Sequence, residues 1–293
     1  MGETLTVKSW RCMGFLAVGL SITFGCQRTK DPLAEVGEHN LLTFSRIDRA
    51  RELATGKGAT VAILDWQFDL RGDAAEKYIN PTSLVPGEPI GQLKPWHGEW
   101  MAEIVHEIAR GARIMPIKAR GMETDSYEEH VIQGIRLAAD QGAAAVTSSM
   151  GPLRLTDALV SAIESAESLG TIFINVHPEY VIGADGKRRL CGTGECDPRI
   201  IHTGVVSVPE HPTAPEPNRD VYVWPYDLQP KYKDGWGYSN GPPIVAGVIA
   251  LMREADPELT PAETRRIIAS TTRDWKGFPV LNAEAAVKAA RGH

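Results

Sequence analysis

The stretch Gly58-Ala-Thr-Val-Ala-Ile-Leu-Asp65 is a short apolar run that ends in a carboxylate. A continuous run of this kind, over residues 59–64, is typical of a parallel strand that is buried on both faces of a sheet. An aspartate directly after such a strand lies at the edge where α/β sheets bind their ligands. The stretch therefore predicts an α/β fold with Asp65 in or beside a functional site.

Strand-like and helix-like segments alternate along the rest of the chain. Residues 98–110 place apolar side chains on one helical face, and Ser126 and Glu129 form a capping-box pair at the start of another helix. The other predicted elements are strands over 112–118, 143–148, 171–176 and 200–208, a helix over 156–169, and C-terminal helices that begin near Thr260 and Asn282. The pattern predicts a doubly wound, mostly parallel sheet with helices on both faces, and it leaves 178–198 and 210–237 as loops.

Composition narrows the class of protein. A chain of 293 residues, 43% of them hydrophobic, is long enough for one large α/β domain. A net charge of −6 argues against nucleic-acid binding, which usually requires a clustered basic surface. No phosphate-cradling glycine loop follows a strand, so we expect no nucleotide cofactor.

The N-terminus has the features of a bacterial export signal. Lys8 and Arg11 precede an apolar stretch over residues 13–25, which is too short to span a bilayer, so residues 1–26 are set apart from the fold. The signal ends in Thr-Phe-Gly-Cys26, which resembles a lipobox with Thr23 in place of the usual leucine. Lipidation of Cys26 and ordinary secretion both stay open. We expect export to the periplasm, cell envelope or medium, with membrane contact only through a lipid anchor.

The chain after the signal divides into two parts. Residues 27–46 form a tether or an N-terminal helix against the domain, and residues 47–293 form the domain itself. Two cysteines, Cys191 and Cys196, lie in a predicted surface loop, where an exported protein favours a local disulfide. Zinc bound with His177 and His202 is the alternative, but the spacing matches no standard ligand pattern, so no metal is predicted.

Three blocks of sequence hold residues with catalytic chemistry: Gly58-Ala-Thr-Val-Ala-Ile-Leu-Asp65, His97-Gly-Glu-Trp-Met-Ala102 and Gly237-Tyr-Ser-Asn-Gly-Pro-Pro-Ile-Val-Ala-Gly247. Taken singly, each has a structural explanation, such as a helix cap. In this order and context they resemble the catalytic blocks of the subtilisin-like family, the subtilases. The resemblance covers about residues 45–290 and includes a C-terminal helix over 280–290.

The resemblance implies a serine endopeptidase that acts on peptides or proteins. Its triad is Asp65, His97 and Ser239: His97 takes the proton of Ser239, and Asp65 orients the imidazole. The segment Ser149-Met150-Gly151 resembles the strand edge that pairs with an extended substrate. No cofactor is implied by any motif, and a structural calcium ion stays open.

The chain also departs from the family pattern. Gln67 replaces a glycine, Glu99-Trp100 replaces Thr-His, and Tyr238, Pro242 and Ile244 stand at altered positions around the nucleophile. The change with most effect is at the oxyanion hole, because Glu179 falls where the family has an asparagine, and a carboxylate cannot donate a hydrogen bond. In subtilisin the loss of this donor costs roughly 10²- to 10³-fold in kcat.

Three side chains are candidates for the missing donor: Asn175, His177, and a Glu179 that burial keeps protonated. The remaining alternative is the backbone N–H of Ser239 with weaker help. If a protonated Glu179 is the donor, an acidic pH optimum is expected. Two alternative functions stay open. One is a pseudoprotease that binds peptides or a partner protein through the same groove. The other is a different α/β hydrolase, although Asp65 and His97 precede Ser239, which is the wrong order for it.

Overall fold

The apolar run after Gly58 forms β1 (Thr60–Asp65), a central strand of the main sheet. The computed structural model describes residues 40–293 except 72, 92–96, 122–126, 193, 208–215, 217 and 226–236. The predicted export signal with Cys26, most of the tether, and Ser126 lie outside the described residues. In the part of the chain that is described, no helix combines the length and the apolar character needed to cross a bilayer.

The sheet is almost entirely parallel. The strands beyond β1 are β2 (Thr82–Ser83), β3 (Arg113–Lys118), β4 (Ala145–Ser148), β5 (Ile172–Asn175), β6 (Tyr180–Ile182), β7 (Arg188–Leu190), β8 (Ile201–Val205), β9 (Val221–Val223), β10 (Arg273–Trp275) and β11 (Phe278–Val280). Among the described residues, nine of these strands form one sheet in the order β10-β11-β9-β8-β5-β4-β1-β3-β2. Only the β10–β11 pair in it is antiparallel. The strands β6 and β7 form a separate hairpin.

Helices cover both faces of this sheet. They are α1 (Leu41–Phe44), α2 (Ile47–Ala50), α3 (His97–Ile108), α4 (Tyr127–Asp140), α5 (Asp157–Ser168), α6 (Gly241–Ala255), α7 (Pro261–Thr271) and α8 (Ala283–Arg291). Val61 and Ile63 of β1 pack into the core with α3 and α6. Ala62 and Leu64 face the opposite way, into the core with α4 and α5. Burial on both faces explains the continuous apolar run, and it confirms the predicted doubly wound fold.

Helix starts agree with the predicted caps. Thr260 and Glu263 form a capping box at α7, with the Glu263 amide donating to Thr260 Oγ1 over 3.3 Å and the Thr260 amide donating to Glu263 Oε2 over 2.9 Å. Asn282 caps α8 by accepting from the Ala285 amide at 3.3 Å. These caps satisfy backbone donors that no intrahelical partner reaches. Each capping residue thus marks the point where the preceding segment ends and the helix begins.

Two stretches predicted as loops contain strands. Residues 178–198 hold the β6–β7 hairpin, which turns at Gly186 with a positive φ of 74° and has exposed, mostly charged residues in β7. Residues 210–237 hold β9, which pairs with β8 in the main sheet. The predicted C-terminal helix over 280–290 begins at Ala283 instead, because Val280 belongs to β11.

Residues 40–46, at the end of the predicted tether, are packed in the described structure. Leu41 and Phe44 of α1 are buried. The centroid of the Phe44 ring lies 4.8 Å from that of the Trp224 ring and 5.3 Å from that of the Trp275 ring. This short helix therefore covers one edge of the core.

Candidate active site

Asp65 and His97 form a hydrogen-bonded pair at the carboxyl end of β1. Asp65 is fully buried, and its Oδ1 accepts from the Trp66 amide at 2.7 Å. His97 is the first residue of α3, and its Nδ1 lies 2.8 Å from Asp65 Oδ2. Burial lowers the pKa of His97, but the charge and hydrogen bond of Asp65 outweigh burial and raise it above its ordinary value. A carboxylate can only accept, so Nδ1 carries a proton and Nε2 of the neutral ring is an acceptor.

The start of α3 is held close to β1 by backbone contact. The Glu99 amide donates to the Gln67 carbonyl at 3.0 Å. A Cβ atom at Gly98 would lie 2.5 Å from that carbonyl oxygen and 3.0 Å from Asp65 Cβ. Only a residue without a side chain therefore allows His97 to approach Asp65 in this way. The rings of Trp66 and Trp100 flank the imidazole, with centroids 5.8 and 6.1 Å away.

Glu99, which the sequence marks only as a departure from the family, ties the loop after β1 to α3. Its buried carboxylate accepts from the Asp69 amide at 2.9 Å and from the Tyr78 hydroxyl at 2.6 Å. The Lys77 ammonium group lies 3.3 Å from the other carboxylate oxygen. Burial and the charge of Glu99 raise the pKa of Tyr78, so the phenol stays protonated as the donor. This cluster fixes the position of the helix that carries His97.

Ser239 lies in the 3₁₀ turn Tyr238–Asn240, which runs directly into α6 and touches α3. Its carbonyl accepts from Ser149 Oγ at 2.9 Å, and its own Oγ lies 3.5 Å from the Ser149 carbonyl. Among the described residues, no hydrogen bond joins Ser239 to His97. The structure therefore brings Asp65 and His97 together and places the Ser239 hydroxyl toward Ser149 on the neighbouring turn.

The predicted substrate-binding segment directly follows β4. Ser149 is buried, Met150 packs partly against the core with α4 and α5, and Gly151 has a φ of 138° that favours glycine. The Gly151 carbonyl accepts from Asn175 Nδ2 at 3.3 Å. The segment and the Ser239 turn are thus joined through Ser149.

Two of the three oxyanion candidates are engaged elsewhere. The buried amide of Asn175 donates to the carbonyls of Gly151 and His177, at 3.3 and 2.9 Å. Glu179 is fully buried, and its Oε1 lies 2.8 Å from His202 Nε2. Burial lowers the pKa of His202, but hydrogen bonds with Asp220 and Glu179 outweigh it and raise the pKa to about 9. Glu179 therefore faces a protonated histidine near neutral pH.

His177, the remaining candidate, lies beside the Ser239 turn, with its ring centroid 6.2 Å from that of Tyr238. The buried Arg219 guanidinium lies 3.3 Å from His177 Nδ1 and also donates to the Val176 carbonyl at 2.8 Å. Burial and this cation lower the pKa of His177. Because Arg219 can only donate, Nδ1 must accept, and the neutral ring carries its proton on Nε2. Arg219 was missed by the sequence analysis, since no local pattern marks it.

The predicted disulfide between Cys191 and Cys196 is not formed, and both residues are free thiols. The turn between them brings Cys196 Sγ to 3.7 Å from the Cys191 carbonyl oxygen rather than into a sulfur–sulfur bond. The alternative zinc set is not assembled either: His177 contacts Arg219, whereas His202 contacts Glu179 and Asp220. A carboxylate oxygen of Glu179 and the two sulfur atoms do lie within 4.8 Å of one another.

Comparison with known proteins identifies the architecture. No family model matches the chain. It is 24% identical over 263 residues to M-protease of Shouchella clausii (strain KSM-K16) and to subtilisin Savinase of Lederbergia lenta. Both matches cover 80% of this chain, which spans 65% of the length of M-protease and 92% of that of Savinase.

Solved structures agree in fold. MycP1 with its propeptide removed matches with a TM-score of 0.66 and 19% identity, over 84% of this chain and 96% of that one. Fervidolysin of Fervidobacterium pennivorans, a keratinolytic enzyme related to subtilisin, matches with a TM-score of 0.64 and 19% identity, over 82% of this chain and 44% of that one. In sequence the chain is therefore similar to subtilisins, and its architecture is the subtilisin-like fold.

Proposed function

We propose that the chain is a serine endopeptidase with Asp65, His97 and Ser239 as its catalytic residues. The observation that carries the proposal is the 2.8 Å contact between His97 Nδ1 and a fully buried Asp65, beside the turn that holds Ser239. A buried carboxylate that accepts from Nδ1 orients the imidazole and leaves Nε2 able to take up a proton, as a general base requires. The similarity to subtilisins and to a protease of Shouchella clausii supports the same chemistry.

In the proposed mechanism, Asp65 fixes the His97 tautomer so that Nε2 accepts the Ser239 proton. Attack of Ser239 Oγ on the peptide carbonyl then gives a tetrahedral intermediate, and His97 returns the proton to the leaving amine to leave an acyl-enzyme. Ser239 first has to rotate from the Ser149 carbonyl. At 3.5 Å that hydrogen bond is long and weak, so rotation about χ1 costs little.

The oxyanion requires donors, and we assign two of them. One is the backbone N–H of Ser239, because the first N–H groups of a helix have no intrahelical partner. The other is Nε2–H of His177, which the contact with Arg219 holds in the donating tautomer. Asn175 and Glu179 are less suited, because the amide already bonds two carbonyls and the carboxylate pairs with His202. His177 thus takes the place of the family's asparagine.

Substrate is proposed to bind as an extended peptide along Ser149, Met150 and Gly151. Hydrogen bonds between the main chains of protein and substrate give affinity that does not depend on the sequence of the substrate. Met150 offers an apolar wall, and Trp66, 39% exposed beside His97, offers a second apolar surface. We therefore expect a preference for hydrophobic side chains next to the cleaved bond.

We also propose that the chain acts outside the cytoplasm, because residues 1–26 have the composition of an export signal. Intact-mass analysis of the mature protein distinguishes the two routes. A mature chain that begins with a lipid-modified Cys26 indicates a lipoprotein, whereas an unmodified mature terminus indicates secretion.

A pseudoprotease is the second candidate, and one observation favours it. Ser239 and His97 share no hydrogen bond among the described residues, and the family's amide donor is absent. Such a protein is expected to bind peptides in the same groove without cleaving them.

The discriminating experiment is digestion of casein and of a peptide library by the purified protein, with products identified by mass spectrometry. We expect cleavage by the native protein and by Ser168→Ala, a matched change at an exposed serine on α5. Ser239→Ala and His97→Ala are expected to lose cleavage. Binding of peptides by the native protein without any product over neutral and alkaline pH overturns the proposal in favour of the pseudoprotease.

A further inference from the structure

The carboxylate of Glu179 is only half satisfied. Its residue is fully buried, and His202 Nε2 contacts Oε1 at 2.8 Å. Oε2 is also buried, and it has no hydrogen-bond partner among the described residues. Buried polar atoms are almost always paired, because a charged oxygen that is left dry and unpaired is strongly destabilising. Among the described residues, no cation and no N–H or O–H donor pairs with Oε2, so a bound cation would supply the missing partner.

Two thiols lie close to the same carboxylate. A carboxylate oxygen of Glu179, Cys191 Sγ and Cys196 Sγ all lie within 4.8 Å of one another. Glu179 precedes β6 and Cys191 follows β7, and the Cys191 amide donates to the Glu179 carbonyl at 2.8 Å. The base of the hairpin therefore fixes two of the three groups.

The loop that carries the third group is also anchored. Glu195 accepts from the Gly192 amide and pairs with the Arg189 guanidinium. Asn218 Nδ2 donates to the Cys191 carbonyl at 2.7 Å. These contacts hold the loop in a turn, which places Cys196 beside Cys191.

We infer that Glu179, Cys191 and Cys196 form a binding site for a thiophilic divalent cation, with Zn²⁺ as the typical example. Two thiolates and one carboxylate are ligands that Zn²⁺ accepts, and three protein ligands leave a fourth position for water. His202 is the outer partner that orients the carboxylate through Oε1. Ca²⁺ and Mg²⁺ fit poorly, because two of the three ligands are sulfur.

The spacing suits a single ion after a small closure. Zinc binds sulfur at about 2.3 Å and oxygen at about 2.0–2.2 Å, so tetrahedral ligand atoms lie roughly 3.3–3.8 Å apart. The observed limit of 4.8 Å leaves about 1 Å to close. Cys196, which is only partly buried, lies on the loop side of the site and is able to make this movement.

A disulfide between the two cysteines is the competing state, and Glu179 argues against it. Oxidation would join the sulfur atoms but leave Oε2 buried without a partner. The sequence analysis predicted no metal because the spacing of the two cysteines, His177 and His202 matches no standard ligand pattern. The third ligand lies 12 residues before Cys191, where it was assigned to the oxyanion hole. The cation site does not depend on the proposed peptidase activity.

The test is a Co²⁺ titration of the reduced, metal-free protein, followed by absorption. We expect one equivalent of Co²⁺ to give thiolate-to-cobalt charge-transfer bands, and one equivalent of Zn²⁺ to remove them. Glu179→Gln is expected to weaken binding by about 10- to 100-fold or more. The Cys191→Ser/Cys196→Ser variant is expected to lose the bands. Asp185→Asn, a matched change at an exposed carboxylate in the turn of the β6–β7 hairpin, is expected to keep them.

Three results would overturn the inference: no charge-transfer bands with the native protein, unchanged affinity in Glu179→Gln, or a Cys191–Cys196 disulfide in the protein as isolated without reductant. Circular dichroism checks that each variant is folded. If the double serine variant does not fold, Glu179→Gln and the Zn²⁺ competition still decide. Ser239→Ala is expected to bind Co²⁺ like the native protein, so a failed peptidase assay and a failed metal site are separate results.

Discussion

His97 and His177 are held in opposite tautomers by charged neighbours. Asp65 can only accept a hydrogen bond, so it places a proton on Nδ1 of His97. Arg219 can only donate, so it requires a bare Nδ1 on His177 and a proton on Nε2. In the proposed mechanism, the first ring receives the Ser239 proton on Nε2 and the second donates from Nε2 to the oxyanion.

The first residue-scale prediction concerns pH. His97 must be neutral to act as a base, and Asp65 raises its pKa above the ordinary value of about 6.5. The value of kcat/KM is therefore expected to be high at alkaline pH and to fall as pH decreases through a point above about 6.5. His106→Gln, which removes a histidine elsewhere on α3, is expected to leave this limb in place. Activity that is highest at acidic pH would contradict the assignment and favour a protonated Glu179 as donor.

The second concerns the proposed oxyanion donor. His177→Ala is expected to lower kcat by roughly 10²- to 10³-fold with little change in KM, because the donor acts only on the developing charge. His177→Gln, which keeps an N–H donor, is expected to recover part of this loss. Steady-state kinetics on one peptide substrate measures both. Equal kcat in His177→Ala and the native protein would exclude this role.

At the scale of elements, the site depends on how α3 packs against α6, because one carries His97 and the other follows Ser239. Ile108 and Gly247 meet in this contact: a Cβ at Gly247 would lie 2.8 Å from Ile108 Cγ2 and 2.9 Å from its Cβ. The glycine therefore sets the distance between the two helices.

Gly247→Ala is accordingly expected to destabilise the fold by about 1–3 kcal/mol and to reduce activity by moving the two helices apart. Ile108→Ala removes Cγ2, the nearer of the two Ile108 atoms, so Gly247→Ala is expected to cost less in the Ile108→Ala background than in the native protein. Urea unfolding and kcat/KM on the four members of this cycle measure the coupling. Strictly additive effects would show that the two residues do not share the contact.

The elements themselves were largely predictable, because a strand buried on both faces must be a continuous apolar run. Such a run located β1 within a few residues, and the alternation of strand-like and helix-like segments located β3, β4, β5 and β8. The β6–β7 hairpin was missed, since Arg188 and Arg189 in β7 are exposed and resemble a solvated loop. In β9, three residues in a polar stretch are too few to show a period.

At the scale of the whole molecule, the parts of the site that sequence could not supply are contacts between distant segments. Arg219 lies 42 residues from His177, and His202 lies 23 residues from Glu179. Neither separation corresponds to the regular spacing of residues that face each other in a helix or a hairpin. The partners meet only because the folded sheet brings their segments together. Asp65 and His97 were found beforehand because their blocks resemble those of a family. The sequence placed Glu179 in the oxyanion hole, whereas the fold pairs it with His202.

The central claim, that Ser239 is an activated nucleophile, is tested most directly by labelling the purified protein with a fluorophosphonate probe across a range of pH. This probe reacts with a serine hydroxyl that a neighbouring base has activated. We expect labelling of the native protein that increases as His97 loses its proton, and none in Ser239→Ala or His97→Ala. An unlabelled native protein at every pH, or equal labelling of Ser239→Ala, would contradict the account.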